Sequence, residues 1–314
     1  IMFRGKIAII GAGLVGSTTA FAIMSGGVFN EIVLIDIDRD KSEGDAMDMA
    51  HGEAFVKPGR IYSGGYEECR GADIIVITAG ANQKPGETRL ELINKNVSIF
   101  RSVIGEIVKY APSDVILLVV TNPVDVLTYA AYKLSGLPRR QVLGSGTVLD
   151  TARLKYMLSE HTGIDTRSCH TYIIGEHGDS EVAAWSVTNI AGITMDEFAA
   201  QTGKCTVADR ERMYSNVKNA AYEIIEKKGA TFYAIALAVE RITSCIAGEE
   251  NSMLTVSSVL DGQYGMSDIA LSVPAKVGGT GVDWIPEVRF SDTETSGLRE
   301  SGKTLTDCAR GIGL

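Results

Sequence analysis

The sequence has few cysteines and no excess of positive charge. Its 314 residues include five cysteines with no C-x-x-C pair, at positions 69, 169, 205, 245 and 308. An odd number of scattered thiols argues against a disulfide framework or a zinc site, and it fits buried thiols in a reducing cytoplasm. The formal net charge of −9 argues against nucleic acid or an anionic membrane as the main partner.

The sequence also lacks a long apolar run. No stretch reaches the ~18 consecutive apolar residues of a membrane-spanning helix. Residues 2–6 lead directly into a strand, so we expect no signal peptide. There is no low-complexity linker and no internal repeat beyond an alternation of strands and helices. The length and the 45% hydrophobic content allow two domains or one large α/β unit.

The amino-terminal segment carries a dinucleotide-binding pattern. The apolar run Lys6–Ile10 predicts a strand, which leads into G-A-G-L-V-G and a helical pattern over residues 17–25. In this context Gly11 permits the tight turn, Gly13 lets a pyrophosphate approach the backbone and Gly16 lets the helix pack on the strand. The N-terminus of the helix then favours the anion.

Asp36 indicates which dinucleotide is bound. It lies at the end of a second predicted strand, Glu31–Ile37, 20 residues after Gly16. A carboxylate there accepts hydrogen bonds from the hydroxyls of the adenosine ribose and repels a 2'-phosphate, so the pattern favours NAD over NADP. Arg39 and Lys41 leave some tolerance for NADP. The alternative is a solvated turn of charged residues.

Strands alternate with helices through the first half of the chain. Further strands are predicted over residues 73–78, 115–120 and 141–143, and helices over residues 41–53 and 90–110. Crossovers long enough to hold helices imply a parallel, doubly wound sheet, the Rossmann fold. The carboxyl ends of its strands are where ligands bind.

Residues suited to a ligand follow these strand ends. Gly80, Ala81 and Ser145 are small and let the backbone approach a dinucleotide, and Asn122 places an amide at the same edge. The polar stretch 82–89, which contains Pro-Gly, is typical of a mobile lid entering a long helix. An ordinary surface loop is the alternative.

The second half combines helices with antiparallel strands. Helices are predicted over residues 149–162, 209–228, 233–247 and 291–310. Strands are predicted over residues 252–260, 269–277 and 281–286, with turns at Asp261-Gly262 and Gly278-Gly279.

One histidine stands in a setting suited to acid–base catalysis. His177 lies between glycines in I-I-G-E-H-G-D, and histidine can donate and accept a proton near neutral pH. Asp150 and Arg153 stand at i and i+3 of a predicted helix, so their side chains share one face. A carboxylate could orient the imidazole, and a forked guanidinium could hold a substrate carboxylate. The alternatives are a turn histidine and a surface ion pair.

In combination, the motifs resemble those of the lactate and malate dehydrogenase family, in particular its bacterial lactate branch. The match runs from Gly11 to about Trp284. It rests on G-A-G-L-V-G with Asp36, A-G-A-N-Q-K-P-G-E-T-R, T-N-P-V-D, L-D-T-A-R, I-I-G-E-H-G-D and K-G-A-T-F-Y-A-I-A. The resemblance implies a cytoplasmic, homotetrameric enzyme of glycolysis and fermentation that moves hydride between NAD and a 2-hydroxy acid without a metal. Residues 1–146 would form the NAD-binding Rossmann domain and residues 147–314 an α+β substrate domain.

The resemblance implies a role for each matching residue. His177 would be the acid/base, Asp150 its carboxylate partner and Arg153 the clamp on the substrate carboxylate. Arg89, on a closing loop, would polarise the reacting carbonyl. The other substrate contacts would be Gln83, Asn122 and Thr231. Cofactor contacts would come from Gly11, Gly13, Val15, Gly16, Asp36, Lys41, Tyr66, Gly80, Ala81, Ser102, Asn122, Ser145 and Ile235.

The resemblance also raises a regulatory hypothesis. Bacterial members often bind fructose 1,6-bisphosphate between subunits through an arginine and a histidine, and the matching positions here are Lys155 and His170. The histidine matches, whereas the lysine departs from the pattern, because it offers phosphate a point charge without the bidentate fork. His170 could instead be structural.

Other classes of function stay open at this point. A non-catalytic NAD sensor would keep the glycine pattern and Asp36 but would not need Asp150, Arg153 and His177 together. An NAD-dependent glycosidase would add a metal site with cysteine and histidine, which the sequence does not assemble.

Gln83 predicts which 2-hydroxy acid is used. The malate enzymes carry arginine at this position, which neutralises the second carboxylate of their substrate. Burying that carboxylate beside a neutral glutamine would leave an unpaired charge, at a cost of several kcal/mol. Lys84 occurs in both branches and does not discriminate. We therefore expect (S)-lactate and pyruvate, with malate and oxaloacetate as the alternative.

Gln83→Arg should shift the preference from pyruvate toward oxaloacetate, because it supplies the missing counter-charge. The ratio of the two kcat/KM values, measured by NADH oxidation, should change by roughly 100-fold. Gln83→Met, which is neutral and of similar size, is the control and should not favour oxaloacetate. A wild-type protein that reduces oxaloacetate with the higher kcat/KM contradicts the prediction.

Overall fold

The computed structural model of the protein describes residues 5–81 and 89–313, and only the backbone of residues 89 and 90. Strands and helices alternate through its first half. They are β1 (Lys6–Ile10), α1 (Leu14–Gly26), β2 (Glu31–Ile35), α2 (Arg39–Ala50), β3 (Arg60–Ser63), β4 (Ile74–Ile77), α3 (Arg89–Tyr110), β5 (Ile116–Val119), α4 (Val124–Ser135) and β6 (Val142–Gly144). The predicted alternation is confirmed, and β3 is a strand that the sequence pattern did not locate.

The first six strands form one parallel sheet in the order β3-β2-β1-β4-β5-β6. Every residue of β4 and β5 is buried, as expected for parallel strands with both faces covered. The predicted doubly wound sheet is confirmed. Its order reverses between β1 and β4, and ligands bind at such switch points, outside the carboxyl ends of the strands.

The second half adds helices and short antiparallel strands, as predicted. They are α5 (Val148–Thr162), β7 (Cys169–His170), β8 (Ile173–Ile174), β9 (Val182–Ala183), β10 (Asn189–Ile190), β11 (Ile193–Thr194), α6 (Met195–Thr202), α7 (Val207–Lys228), α8 (Tyr233–Ala247), β12 (Ser252–Leu254), β13 (Ser257–Asp261), β14 (Ser267–Ser272), β15 (Ala275–Gly278), β16 (Gly281–Trp284) and α9 (Asp292–Gly311). Small sheets join β11-β10-β7, β12-β15-β16 and β8-β9.

The single strands predicted over residues 252–260 and 269–277 are wrong, because each run is divided between two sheets. β13 and β14 form a hairpin that extends the main sheet beside β6, whereas β12 and β15 pair with each other elsewhere. The second break falls at Pro274, which has no N–H to donate to a ladder. Apolar residues continue across both breaks, and periodicity alone gives no sign that the chain changes sheets.

Four apolar clusters of described residues hold the elements together, and three of them bear on the site. Two of them lie on the faces of the main sheet, where α3 contributes Phe100 to one and α8 contributes Ile242 to the other. The third joins α5 and α7 through side chains that include Leu158 and Met213. This third cluster fixes α5, which carries Asp150 in its first turn.

The thiols and the helices have one general property each. Four cysteines are buried as thiols, Cys69, Cys169, Cys205 and Cys245, and Cys308 is half-buried. Across the helices of the described ranges, none is both long and apolar enough to cross a membrane.

Candidate active site

The loop that carries His177 leaves β8 through a tight turn. Gly175 adopts a left-handed φ of 94° and exchanges backbone hydrogen bonds of 2.7 and 2.9 Å with Ser272 of β14. A Cβ at Gly175 would lie 2.8 Å from the Ser301 hydroxyl of α9. Both this close approach and the left-handed φ disfavour any side chain at position 175. The next amide, that of Glu176, donates to the same hydroxyl at 2.6 Å. The histidine is therefore presented by a loop that is bonded to two neighbouring elements.

The start of α5 is bonded to the strand that precedes this loop. The Thr147 hydroxyl donates to the carbonyl of Ile173 at 2.5 Å, and the Ile173 amide donates to the Thr151 hydroxyl at 2.9 Å. Because the first turn of α5 lies directly against β8, Asp150 comes within reach of His177.

The structure brings Asp150, Arg153 and His177 together. Asp150 is 2% exposed, and its two carboxylate oxygens lie 2.5 Å from Nδ1 of His177 and 2.7 Å from Nη1 of Arg153. The spacing argument left both an Asp150–His177 contact and an Asp150–Arg153 ion pair open, and both are present. Asp150 therefore engages Nδ1 of the His177 ring, and Nε2 is the ring nitrogen that can exchange a proton with a ligand.

The charges in this cluster set the protonation of the imidazole. The negative charge of Asp150 raises the pKa of His177 to about 9, although burial acts in the opposite direction. Burial also raises the pKa of Asp150, but the positive charges of His177 and Arg153 outweigh it and hold that pKa below its usual range. At neutral pH the pair is therefore an imidazolium next to a carboxylate.

Two buried carboxyl groups near His177 were missed in the sequence. Asp125, in the first turn of α4, accepts a hydrogen bond from the backbone amide of His177 at 2.7 Å. Glu181 is 5% exposed, and burial, together with the charge of Asp150, raises its pKa to about 8. Asp125 closes the T-N-P-V-D motif and Glu181 follows I-I-G-E-H-G-D by two residues, so motif position was an available signal for both.

The glycine pattern has the shape that a pyrophosphate requires. A Cβ at Gly16 would lie 1.8 Å from the carbonyl oxygen of Gly11, whereas one at Gly13 would meet no described atom within 4 Å. Gly13 is the N-cap of α1 and supplies no side-chain cap to its first amides. Space and free N–H donors therefore coincide in front of α1, and these residues fit the phosphates of a dinucleotide.

Asp36 lies just beyond the end of β2, which stops at Ile35 rather than at the predicted residue 37. Its carboxylate accepts the amides of Ala12 at 2.5 Å and Asp38 at 2.8 Å, and so it sits beside the glycine loop. Burial raises the pKa of Tyr66, and Cys69, Glu106 and Asp36 add to the effect in that order.

Lys41 is engaged by the same loop. Its ammonium group donates to the carbonyl of Ala12 and lies 2.6 Å from the carboxylate of Asp45. The carboxylate of Asp45 reduces the capacity of Lys41 to hold a 2'-phosphate. It therefore reduces the tolerance for NADP that the presence of Lys41 suggested.

Asn96 organises the neighbouring strand ends and was also missed. Its side chain is fully buried on α3, accepts the Ala81 amide at 2.7 Å and donates to the carbonyl of Asn122 at 3.1 Å. It thereby ties the segment after β4 to the segment after β5. An amide within the apolar stripe that includes Ile93 and Phe100 was the signal in the sequence.

The remaining predicted residues are placed as follows. Val15 and Ile235 are half-buried and pack against the apolar cluster that contains Ile242 of α8. The amide of Ser145 donates to the carbonyl of Val119 at 2.8 Å. Ser102 is exposed on α3, and Thr231 is half-buried between α7 and α8. Gln83 lies outside the described residues, as does the side chain of Arg89.

Fold and site define a dinucleotide-binding α/β protein with a buried histidine–carboxylate pair. Residues 5–144 match the family model for the lactate/malate dehydrogenase NAD binding domain, and residues 147–310 match the model for the α/β C-terminal domain of the same family. The chain belongs to the lactate/malate dehydrogenase family, and the family expected from the motifs is confirmed.

Individual relatives agree with this assignment. The chain is 59% identical to L-lactate dehydrogenase 1 of Clostridium acetobutylicum over 96% of both chains. It is 56% identical to L-lactate dehydrogenase of Acetivibrio thermocellus over 98% of both. Among solved structures, a lactate dehydrogenase from a Medee basin deep-sea metagenome library superposes with a TM-score of 0.96, at 41% identity over 100% of both chains. The minor L-lactate dehydrogenase of Enterococcus mundtii gives 0.95, at 40% identity over 99% of both.

Alanine at Gly13 and alanine at Gly16 of the same motif should affect different properties of the protein. Gly13→Ala should leave the melting temperature unchanged and weaken NADH binding by roughly 10-fold or more, about 1.4 kcal/mol, because the new methyl group occupies the space in front of α1. Gly16→Ala should destabilise the fold by about 1–3 kcal/mol, because its Cβ overlaps a backbone carbonyl. NADH fluorescence titrations and thermal melts measure both, and equal effects of the two variants would contradict the placement of the phosphates.

Proposed function

We propose that the protein is an NAD-dependent L-lactate dehydrogenase that interconverts (S)-lactate and pyruvate. The cluster of His177, Asp150 and Arg153 carries the proposal, because it combines a proton donor with a guanidinium suited to a carboxylate. The relatives named L-lactate dehydrogenase support the same reaction. A 2-oxo acid offers the two groups that this cluster can bind, a carbonyl and an adjacent carboxylate.

His177 transfers the proton. When bound, NAD supplies the hydride acceptor for lactate oxidation and, in its reduced form, the donor for pyruvate reduction. In reduction, protonated His177 donates to the carbonyl oxygen as negative charge develops there, and in oxidation the neutral imidazole takes the hydroxyl proton. Asp150 fixes the ring through Nδ1 and stabilises its charged form.

Arg153 binds the substrate carboxylate. Its Nη1 is occupied by Asp150 at 2.7 Å, which holds the guanidinium in place and leaves its other N–H groups to donate to the substrate. Asn122 and Thr231 complete the pocket. Arg89 polarises the carbonyl and Gln83 contacts the substrate methyl group, two roles that rest on the family resemblance.

The cofactor is held at the carboxyl edge of the sheet, within a domain that we assign to residues 1–146. Gly11, Gly13 and Gly16 receive the pyrophosphate, and Asp36 receives the ribose. The other contacts are assigned to Val15, Lys41, Tyr66, Gly80, Ala81, Ser102, Asn122, Ser145 and Ile235. Residues 147–314 form the substrate domain in this proposal, although β13 and β14 from this half extend the main sheet.

We further propose a cytoplasmic homotetramer that responds to fructose 1,6-bisphosphate. Burial lowers the pKa of Lys155, and the Lys155 and Cys169 charges influence each other. Lys155 lies on α5, which packs against β7, the strand that carries the exposed His170. A partly desolvated ammonium and an exposed imidazole on two elements that pack together support the binding of a phosphate group.

Pyruvate reduction should fall as the pH rises through about 9, because deprotonation of His177 removes the proton donor. Lactate oxidation requires the neutral imidazole and should rise over the same range.

His177→Asn should lower kcat/KM for pyruvate by about 10²–10⁴-fold with NADH binding retained. His51→Asn, at the end of α2, is the matched control and should behave as wild type. Retained NADH oxidation by His177→Asn counts against the mechanism.

The sugar bisphosphate should lower the pyruvate concentration needed for half-saturation. Lys155→Ala should remove this response. Lys155→Arg should strengthen it, because a guanidinium can donate two parallel hydrogen bonds to a phosphate. Lys57→Ala, on a surface away from α5, is the control. Saturation curves with and without the effector measure the response, and identical curves at every pH would eliminate the effector site.

A further inference from the structure

His177 is held between two buried carboxylates on different elements. Asp150 of α5 binds the ring at Nδ1, and Asp125 of α4 accepts the backbone amide at 2.7 Å. The second contact acts on the residue's own backbone rather than on its side chain. It has no part in the mechanism described above.

The loop around His177 depends on such backbone contacts. Gly175 and Gly178 flank Glu176 and His177 and have no side chains with which to anchor the loop. The described anchors at the entry of the loop are the pairing of Gly175 with Ser272, the bond from Glu176 to Ser301 and the bond from His177 to Asp125. Only the last of these bonds holds the backbone of the histidine itself.

Asp125 is itself held firmly. Its side chain is 2% exposed, and its second oxygen accepts the hydroxyl of Ser257 at 2.6 Å. It lies in the first turn of α4, where the helix dipole favours a negative charge. The contact with Ser257 ties it to β13, so one carboxylate joins α4, β13 and the histidine loop.

The charge of Asp125 also acts on the imidazole. It is one of three carboxylate charges, with those of Asp150 and Glu181, that raise the pKa of His177. Burial raises the pKa of Asp125 itself to about 6; the Ser257 hydroxyl, the His177 amide and the His177 charge oppose this shift, and the charge of Glu176 adds to it. Asp125 is therefore ionised at neutral pH and becomes neutral under mildly acidic conditions.

We propose that Asp125 is a positioning residue for His177, which fixes the backbone of the histidine and places a buried carboxylate against its loop. The proposal rests on the acid/base role assigned to His177. Displacing a catalytic group by about 1 Å can cost ~10²-fold in rate, which is the scale of effect expected when this anchor is lost. A purely structural Asp125 would instead affect stability and leave the titration of His177 unchanged.

The test compares Asp125→Asn with Asp125→Ala. Asparagine is nearly isosteric and keeps an oxygen for the His177 amide but removes the charge, whereas alanine removes both. We expect kcat/KM for pyruvate to fall by roughly 10-fold in the asparagine variant and roughly 100-fold in the alanine variant. The alkaline limb of the pH profile should move to lower pH in Asp125→Asn, because the imidazolium has lost a stabilising charge.

A second readout does not depend on turnover. The chain has four histidines, so selective 15N-histidine labelling gives few signals, and His177→Asn assigns the one of interest. In the wild-type protein the His177 amide signal should show an inflection near pH 6 as Asp125 titrates. The inflection should be absent in Asp125→Asn, and the imidazole should titrate at lower pH. Asp307→Asn, an exposed position on α9, is the matched control and should change neither.

The outcomes separate the two proposals. An Asp125→Asn variant that melts earlier but keeps the wild-type titration of His177 overturns the positioning role, as does a wild-type amide signal without the inflection. A wild-type protein that shows these titrations but reduces neither pyruvate nor oxaloacetate supports the positioning of His177 and rejects the proposed substrate.

Discussion

The carboxylate of Asp150 accepts hydrogen bonds from the imidazole of His177 and from the guanidinium of Arg153, at 2.5 and 2.7 Å. Burying a carboxylate is unfavourable unless its charge is compensated, and here two cationic groups compensate it. The same charge keeps the imidazole protonated and holds the guanidinium in position. One buried carboxylate therefore orients both the proposed proton donor and the proposed carboxylate clamp.

That interaction depends on how the two halves of the chain meet. β13 and β14 complete the main sheet beside β6, and the start of α5 is bonded to β8 through Thr147 and Thr151. The residues proposed to bind the substrate thus stand on the same framework as those proposed to bind the cofactor. Asp125, which reaches from α4 to the backbone of His177, adds a direct link between the two sets.

Local patterns predicted much of this arrangement. The glycine motif followed by Asp36 predicted the dinucleotide fold, because its turn, close approach and helix start are properties of consecutive residues. The break at Pro274 and the transfer of two strands to the main sheet were not predicted, because apolar runs look alike whichever sheet buries them. Asn96 and Asp125 were missed for a related reason. Asn96 bonds to the backbone of Ala81 and Asn122, and Asp125 bonds to the backbone of His177 and the hydroxyl of Ser257. These partners are distant in sequence, and neither a backbone group nor a lone serine reveals such a contact.

The sequence by itself determined the parallel sheet, the glycine loop, the candidate histidine and the family, since each depends on residue order and spacing. Tertiary structure alone decided that Asp150 faces His177 as well as Arg153, that Lys41 donates to the carbonyl of Ala12, and that Asp125 accepts the backbone amide of His177. The contacts of His177 with Asp150 and with Asp125 span 27 and 52 residues of sequence. A hydrogen bond is set by distances of about 3 Å, and only the packed chain fixes distances of that kind.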